Sequence, residues 1–256
     1  VGRGHGAALA RMPTNRWASQ RIPWYRGMRP YSRRELTADA YIHAAGLAVS
    51  TVSSCHLEAI ILFAPRQLPS PLRAGLHVYA VCFPLLWGCS GAYNLFSGRV
   101  LRNDARVDAL KLADHVAINL LIAGTNTPIF ILSRCFNALT VVWTMAALSV
   151  AHKAFTRSDI GAAHVVAFLV MGWQVVLVRN EVAAVLTGSS LMWVQLGGAV
   201  YTGGLIPFAA VGLEFHTAAW HVCVLAAGCC FHAVITLAIA RPDSWTEAAV
   251  ASWAGS

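Results

Sequence analysis

Charged residues are scarce in this sequence. They make up 12% of the 256 residues, whereas a soluble domain averages about 25%. The hydrophobic share is 57%, and the mean hydropathy is +0.57. So little charge and so much apolar side chain exclude an ordinary soluble domain, and the composition predicts an integral membrane protein.

Several motifs of soluble enzymes are also missing. The sequence has no Walker motif, no GxGxxG after a strand and no nucleophile elbow, which argues against nucleotide binding and α/β-hydrolase chemistry. Its seven cysteines form no CxxC pair. We therefore interpret them as small apolar residues rather than as a disulfide or metal framework.

What the sequence does contain is a series of long apolar runs. Seven of them reach the roughly 17–25 residues that a bilayer requires, at 40–64, 75–96, 112–133, 135–155, 160–178, 188–210 and 216–240. The sequence thus predicts an all-α bundle of seven transmembrane helices over residues 35–242. A basic N-terminal extension at 1–34 precedes it, and a short C-terminal tail at 243–256 follows it. A polar break at residues 179–181 leaves the bounds of spans five and six open.

The distribution of basic residues predicts the orientation of the bundle. Residues 1–34 contain eight arginines and no acidic residue, and the loops after spans two and four are also basic. Basic segments collect on the cytosolic side of a membrane. We therefore predict that the N-terminus lies in the cytosol or the mitochondrial matrix.

The arginine-rich extension suggests a binding role of its own. A segment with this charge suits anionic headgroups such as those of cardiolipin or a neighbouring subunit, and aromatic side chains would anchor it at the interface. The alternative is a solvated tail that only sets the topology. The residues expected to contact lipid or partner are Arg11, Arg16, Trp17, Arg21, Trp24, Tyr25, Arg26 and Arg29.

Polar side chains in three of the predicted spans should meet near the inner end of the bundle. Successive helices alternate in direction, so the inner parts of spans two, three and seven lie at the same depth. Ionisable groups inside a membrane are functional candidates by default. The expected cluster consists of Ser90, Asn94, Asp114, Thr217 and His221.

Six motifs in these spans resemble a known family. In order they are "ELTADAYIHAAG", "SGAYN", "LADHVAINLLIAGTNTP", "MGW", "LGGAVYTGG" and "TAAWHVCVLAAGCCFH", and they are similar to those of the haemolysin III and progestin/adipoQ receptor family. The resemblance covers residues 35–235. It implies a seven-helix fold, shared with a wider group that includes alkaline ceramidases, and an intramembrane zinc. The family's ligands are a His four residues after a Ser in the second helix and an HxxxH pair in the last. An Asp in the third helix helps to hold the zinc-bound water.

The sequence departs from this ligand pattern at two of three positions. Ser90, Asp114 and His221 match the family, but Asn94 and Thr217 stand where it has histidine. Asparagine and threonine are poor zinc ligands. We therefore expect no bound metal and no cofactor.

The positions of the other histidines do not supply the missing zinc ligands directly. His216 precedes His221 by five residues, a step that places the two about 140° apart around a helix. A zinc completed by a rearranged residue stays an alternative, with candidates His115, Glu58 and His56. His43, together with Glu35 and Asp39, resembles the family's opening "E…N…H" pattern, and we expect it to fix the start of the first helix.

Three classes of function fit these observations. The first is a zinc-dependent membrane lipid hydrolase or amidase, and the second is a lipid-responsive receptor of the same family. The third is a catalytically degenerate member that serves as an accessory subunit of a larger complex. The missing ligands and the arginine-rich extension, which resembles matrix-side segments of mitochondrial proteins, favour the third class. We therefore predict a subunit of a respiratory-type complex in the mitochondrial inner membrane, with other membrane subunits as partners and no nucleic acid.

Overall fold

A computed structural model describes residues 31–63, 68–96, 104–156 and 162–253. This part of the chain forms nine α-helices and no strand, which confirms the all-α class. Short turns of other helix types follow α5 at Trp173–Val176 and α8 at Ile235–Ile239, and another precedes α9 at Pro242–Ser244. The helices are α1 (Arg33–Leu62), α2 (Ser70–Phe96), α3 (Asp104–Leu132), α4 (Phe136–Thr156), α5 (Ala162–Gly172), α6 (Arg179–Val185), α7 (Gly188–Ala209), α8 (His216–Val234) and α9 (Glu247–Trp253).

Five of these helices are long and apolar enough to cross a membrane: α1, α2, α3, α4, and α8 with the turn that follows it. Helices α5 and α6 form a sixth candidate, bent by 56° where they meet. The chain is therefore an integral membrane protein. Helix α7 occupies the predicted sixth span but is not among these candidates, so the count of seven spans stays a prediction. The side on which the N-terminus lies also stays a prediction.

The start of α1 is fixed by a capping box. The hydroxyl of Ser32 accepts a hydrogen bond from the backbone N–H of Glu35, and the Glu35 carboxylate accepts one from the backbone N–H of Ser32. Such reciprocal bonds satisfy N–H groups that have no partner inside the helix. The second carboxylate oxygen of Glu35 accepts from the backbone N–H of Phe215 at 3.0 Å. Phe215 directly precedes α8, so the starts of α1 and α8 lie at the same end of the bundle.

The interior between α1, α2, α3 and α8 is filled by large apolar side chains. Tyr79, Phe83 and Trp87 of α2 and Phe130 of α3 are almost completely buried. Apolar side chains also cover much of the outer surface, which suits contact with lipid; Ile206, for example, is 75% exposed. Polar groups within such a core must find partners inside the protein, because burying them alone is costly.

Helix α1 packs tightly against Trp87 of α2 at Gly46. A Cβ atom at this position would lie 2.2 Å from the ring of Trp87, and small residues at such crossings let membrane helices pack together. The close approach also places the nearby His43 of α1 against α2.

We expect Gly46→Ala to destabilise the bundle by about 1–3 kcal/mol, the usual cost of overpacking a filled core. Thermal unfolding of the purified protein in detergent measures this effect. Gly88→Ala on α2 is the matched control, because in the described part of the chain a Cβ added there meets no atom within 4 Å beyond its own stretch of helix. Equal melting temperatures for the two variants would show that the α1–α2 crossing tolerates a larger residue.

Candidate functional site

Helix α1 contributes an aspartate and a histidine to the interior of the bundle. Asp39 and His43 are separated by four residues, so both side chains lie on the same face of the helix. They are 7% and 2% exposed. The Nδ1 atom of His43 donates a hydrogen bond to the backbone carbonyl of Asp39 at 2.8 Å, and it lies 3.6 Å from Asp39 Oδ2. These contacts fix both the ring orientation and the tautomer of neutral His43.

Helix α8 contributes a second histidine that contacts the same carboxylate. The Nδ1 atom of His221 lies 2.6 Å from Asp39 Oδ1, in a buried pair. The rings of His43 and His221 are 4.3 Å apart between centroids, at 70° to each other. Trp87 of α2 covers them, with its ring 5.8 Å from that of His43 and 6.5 Å from that of His221.

Helices α2 and α3 close the site from the other side. The hydroxyl of Ser90 lies 3.3 Å from His43 Nε2 and also hydrogen-bonds to the carboxyl of Asp114 on α3. Asn94 donates to the backbone carbonyl of Ser90 at 2.9 Å and to its hydroxyl at 3.2 Å. The Oδ1 atom of Asp114 is buried, and it has no hydrogen-bond partner within the described part of the chain. It therefore offers an acceptor to a molecule that enters the site.

The structure brings together four of the five residues that the sequence placed in one cluster. Ser90 and Asn94 contact each other, Ser90 contacts Asp114, and Asp114 interacts electrostatically with His221. The hydrogen-bond partner of His221, however, is Asp39 rather than the expected Asp114. The difference arises because α1 packs against α8 at this level and presents its carboxylate directly to the imidazole.

The fifth residue, Thr217, takes part in a separate contact. Its hydroxyl donates to the hydroxyl of Tyr31 at 3.0 Å. His216 is buried beside it, with Nε2 3.3 Å from the same Tyr31 oxygen. Both side chains thus contact Tyr31 rather than the Asp39–His221 pair. For His216 this agrees with the wide separation from His221 expected around α8. Thr217, four residues before His221, was expected in the cluster, and its hydroxyl is held by Tyr31 instead. The arginines and aromatic residues assigned to lipid or partner contact, Arg11 to Arg29, lie outside the described residues.

The ligand positions implied by the family resemblance do not fit a metal here. Asn94 uses its amide N–H for α2 itself, and the Thr217 hydroxyl is bonded to Tyr31. Three other residues do present suitable atoms. Asp39, His43 and His221 are all buried, and each offers one ligand atom within 4.8 Å of the others. A carboxylate and two imidazoles are ligands that zinc accepts.

Two of these three residues belong to the opening pattern of the first helix. From that pattern His43, together with Glu35 and Asp39, was expected to fix the helix start. Glu35 does so with Ser32, whereas Asp39 and His43 are buried in the interior. Their four-residue spacing was the available signal, because it places a carboxylate and an imidazole on one face. The sequence did not indicate which helix that face would meet.

The family comparison and the two similar proteins all relate the chain to haemolysin III proteins. A family model described as haemolysin-III related matches residues 32–233. The chain is 28% identical over 200 residues to a Bacillus subtilis (strain 168) protein named hemolysin-3 homolog, with 76% of this chain and 90% of the relative covered. It is 29% identical over 198 residues to hemolysin-3 of Bacillus cereus, with 75% of this chain and 86% of the relative covered.

Proposed function

The chain belongs to the haemolysin III-related family, and we propose that it hydrolyses an ester or amide bond of a membrane lipid inside its helix bundle. The observation that carries this proposal is the unpartnered Oδ1 atom of Asp114, which within the described residues is buried beside Ser90 and the Asp39–His221 pair. A buried acceptor of this kind is suited to take a proton from water, which is the role of a general base.

The reaction follows from the groups in the site. A water molecule donates a hydrogen bond to Asp114 Oδ1, and its oxygen attacks the carbonyl carbon of the lipid as Asp114 takes the proton. The bond to the alcohol or amine then breaks, and Asp114 returns the proton to the leaving group. Ser90 holds the carboxyl of Asp114 in position, while Asp39 orients His221. The products are a free fatty acid and the deacylated lipid.

A direct assay tests this proposal. We expect the purified full-length chain, reconstituted in liposomes that contain either a ceramide or a diacyl phospholipid, to release fatty acid from at least one of them. In ¹⁸O-labelled water, the released acid should carry one labelled oxygen, because water supplies the attacking atom. Mass spectrometry measures both quantities. If neither lipid yields fatty acid above the level in protein-free liposomes, the hydrolase proposal is wrong.

A second candidate is the accessory subunit predicted from the sequence. It is favoured by Asn94 and Thr217, which occupy two family ligand positions and are engaged in hydrogen bonds. Stoichiometric co-purification of other membrane subunits with a chain that hydrolyses nothing would support it over the hydrolase. The mitochondrial inner membrane, the respiratory complex and bound cardiolipin stay predictions; the two relatives are bacterial and lend them no support.

A further inference from the structure

We propose that Asp39, His43 and His221 bind one divalent transition-metal ion, zinc or ferrous iron, between α1 and α8. The existence of this site rests on geometry alone. Its role rests on the proposed function, since a cation at this place would lower the pKa of a water molecule that also faces Asp114. The ligand set differs from the one that the family resemblance implies, because two of its three members come from α1.

The three side chains are already gathered as ligands require. The Asp39 carboxylate lies between the two imidazoles, with Oδ1 2.6 Å from His221 Nδ1 and Oδ2 3.6 Å from His43 Nδ1. One ligand atom from each of the three residues lies within 4.8 Å of the other two. All three residues are at least nine-tenths buried. Four-residue spacing on α1 fixes two of them on a single helix face, so an ion would need to draw in only His221 from a second helix.

Two acceptors beside the site compete for one hydrogen-bond donor, the hydroxyl of Ser90. His43 Nδ1 donates to a backbone carbonyl, so its Nε2 atom carries the lone pair and faces Ser90. The single hydroxyl hydrogen of Ser90 is thus claimed by both His43 Nε2 and the Asp114 carboxyl. Asp114 Oδ1 has no donor within the described residues. Lys153 of α4 is one cation that interacts with Asp114, and a metal ion at Asp39 would add a second, since buried charges are commonly paired or coordinate metals.

The bond between His43 Nδ1 and the Asp39 carbonyl supports the same conclusion. A metal-bound histidine commonly donates its second ring N–H to a carboxylate or backbone carbonyl, which fixes the tautomer and orients the ring. His43 already has this arrangement: Nδ1 donates to the carbonyl, and Nε2 faces the Ser90 hydroxyl, a contact that a metal ion would replace. Two histidines and one carboxylate also leave a position open for water, as in catalytic zinc sites and in non-haem iron sites.

Metal analysis of the full-length chain tests the proposal without an activity assay. We purify it in detergent through a histidine-free tag and without chelator, and measure bound zinc and iron by mass spectrometry. We expect equimolar metal, and its identity distinguishes zinc from iron. The variants Asp39→Asn, His43→Gln and His221→Gln should each lose at least about tenfold in metal content, because even supporting partners of a ligand are worth about 10- to 100-fold.

The matched control is His216→Gln, which alters an equally buried histidine on the same helix, bonded to Tyr31 instead. This variant should keep its metal. Variants are compared only as monodisperse protein, and chelator-treated samples are reloaded with Co²⁺ to count sites directly. If the wild type retains no more Co²⁺ than Asp39→Asn, or if His216→Gln loses metal equally, the site does not exist. If the chain binds metal but hydrolyses no lipid, the metal site is supported and the proposed function is wrong. If it hydrolyses lipid but binds no metal, the proposed function is supported and the metal site is wrong.

Discussion

Asp114→Asn is expected to lower the rate of lipid hydrolysis by about 10²–10⁴-fold, the usual contribution of a general base. The amide has nearly the same shape as the carboxyl group and can still contact Ser90. It has no oxygen that can take a proton from water at neutral pH. Release of fatty acid from liposomes, measured at saturating lipid, gives the effect on kcat.

The control for this prediction lies on the same helix. Asp108 is exposed on α3, and Asp108→Asn removes one carboxylate without touching the site, so its rate should match that of the wild type. Metal content provides a second control, because Asp114 is not among the three proposed ligands and Asp114→Asn should retain bound metal. A variant with full metal content and an unchanged rate would show that Asp114 is not the base.

The positions of the long helices were predictable because a bilayer imposes a simple pattern on the sequence. The apolar run at 216–240 corresponds to α8 and the turn that ends at Ile239, and the run at 75–96 corresponds to most of α2. Helix α1 begins at Arg33, seven residues before its apolar run, because the capping box of Ser32 and Glu35 extends it into the polar region. Apolar periodicity alone does not contain that information.

The region after α4 was harder to predict. The sequence placed span five at 160–178 and a polar break after it, and the structure has a helix, a turn at Trp173–Val176 and the short helix α6 in this region. Arg179 and Glu181 do not end the helical region but lie in α6 itself. A bend of 56° between the two helices depends on packing, which single-sequence hydropathy does not describe.

The site was predictable in part for a related reason. Ser90, Asp114 and His221 could be placed at one depth from helix direction, and the structure brings them together. Asp39 was missed as a member because polar and apolar residues are spread around α1 without a clear apolar face, so its sequence does not reveal which face meets α8. The contact between Tyr31 and Thr217 joins residues 186 positions apart, and no local pattern indicates it.

The three positions at which this chain departs from the family pattern, Asp39, Asn94 and Thr217, lie near the same site. The family resemblance implies histidine at the positions of Asn94 and Thr217 and an asparagine in its opening pattern, where this chain has Asp39. One carboxylate thus appears on α1 while two imidazoles are absent from α2 and α8. Because Asp39 and His43 reach the same imidazole of His221, the gain on α1 can replace the loss elsewhere without moving the centre of the site.

This relationship predicts that metal binding can be transferred between the two ligand sets. Asp39→Asn should reduce metal content at least about tenfold. Loss of a residue that only supports a ligand lowers metal affinity about 10- to 100-fold, and loss of a ligand itself should lower it more. Adding Asn94→His and Thr217→His to that variant should restore equimolar metal. The histidine introduced on α8 would then share one helix face with His221, because a four-residue step returns nearly to the same side of a helix. The histidine introduced on α2 would supply the third nitrogen.

Metal analysis and Co²⁺ reloading of the single and triple variants measure the transfer. The informative control is Asp39→Asn combined with His216→Gln and Asn94→Gln, which carries the same number of changes but adds no ligand, and it should stay metal-free. If Asp39→Asn alone keeps its metal, the carboxylate is not a ligand and the site does not include α1. If the triple variant stays metal-free although it elutes as a folded monomer, the two ligand sets do not share a centre, and Asp39 does not replace the family histidines.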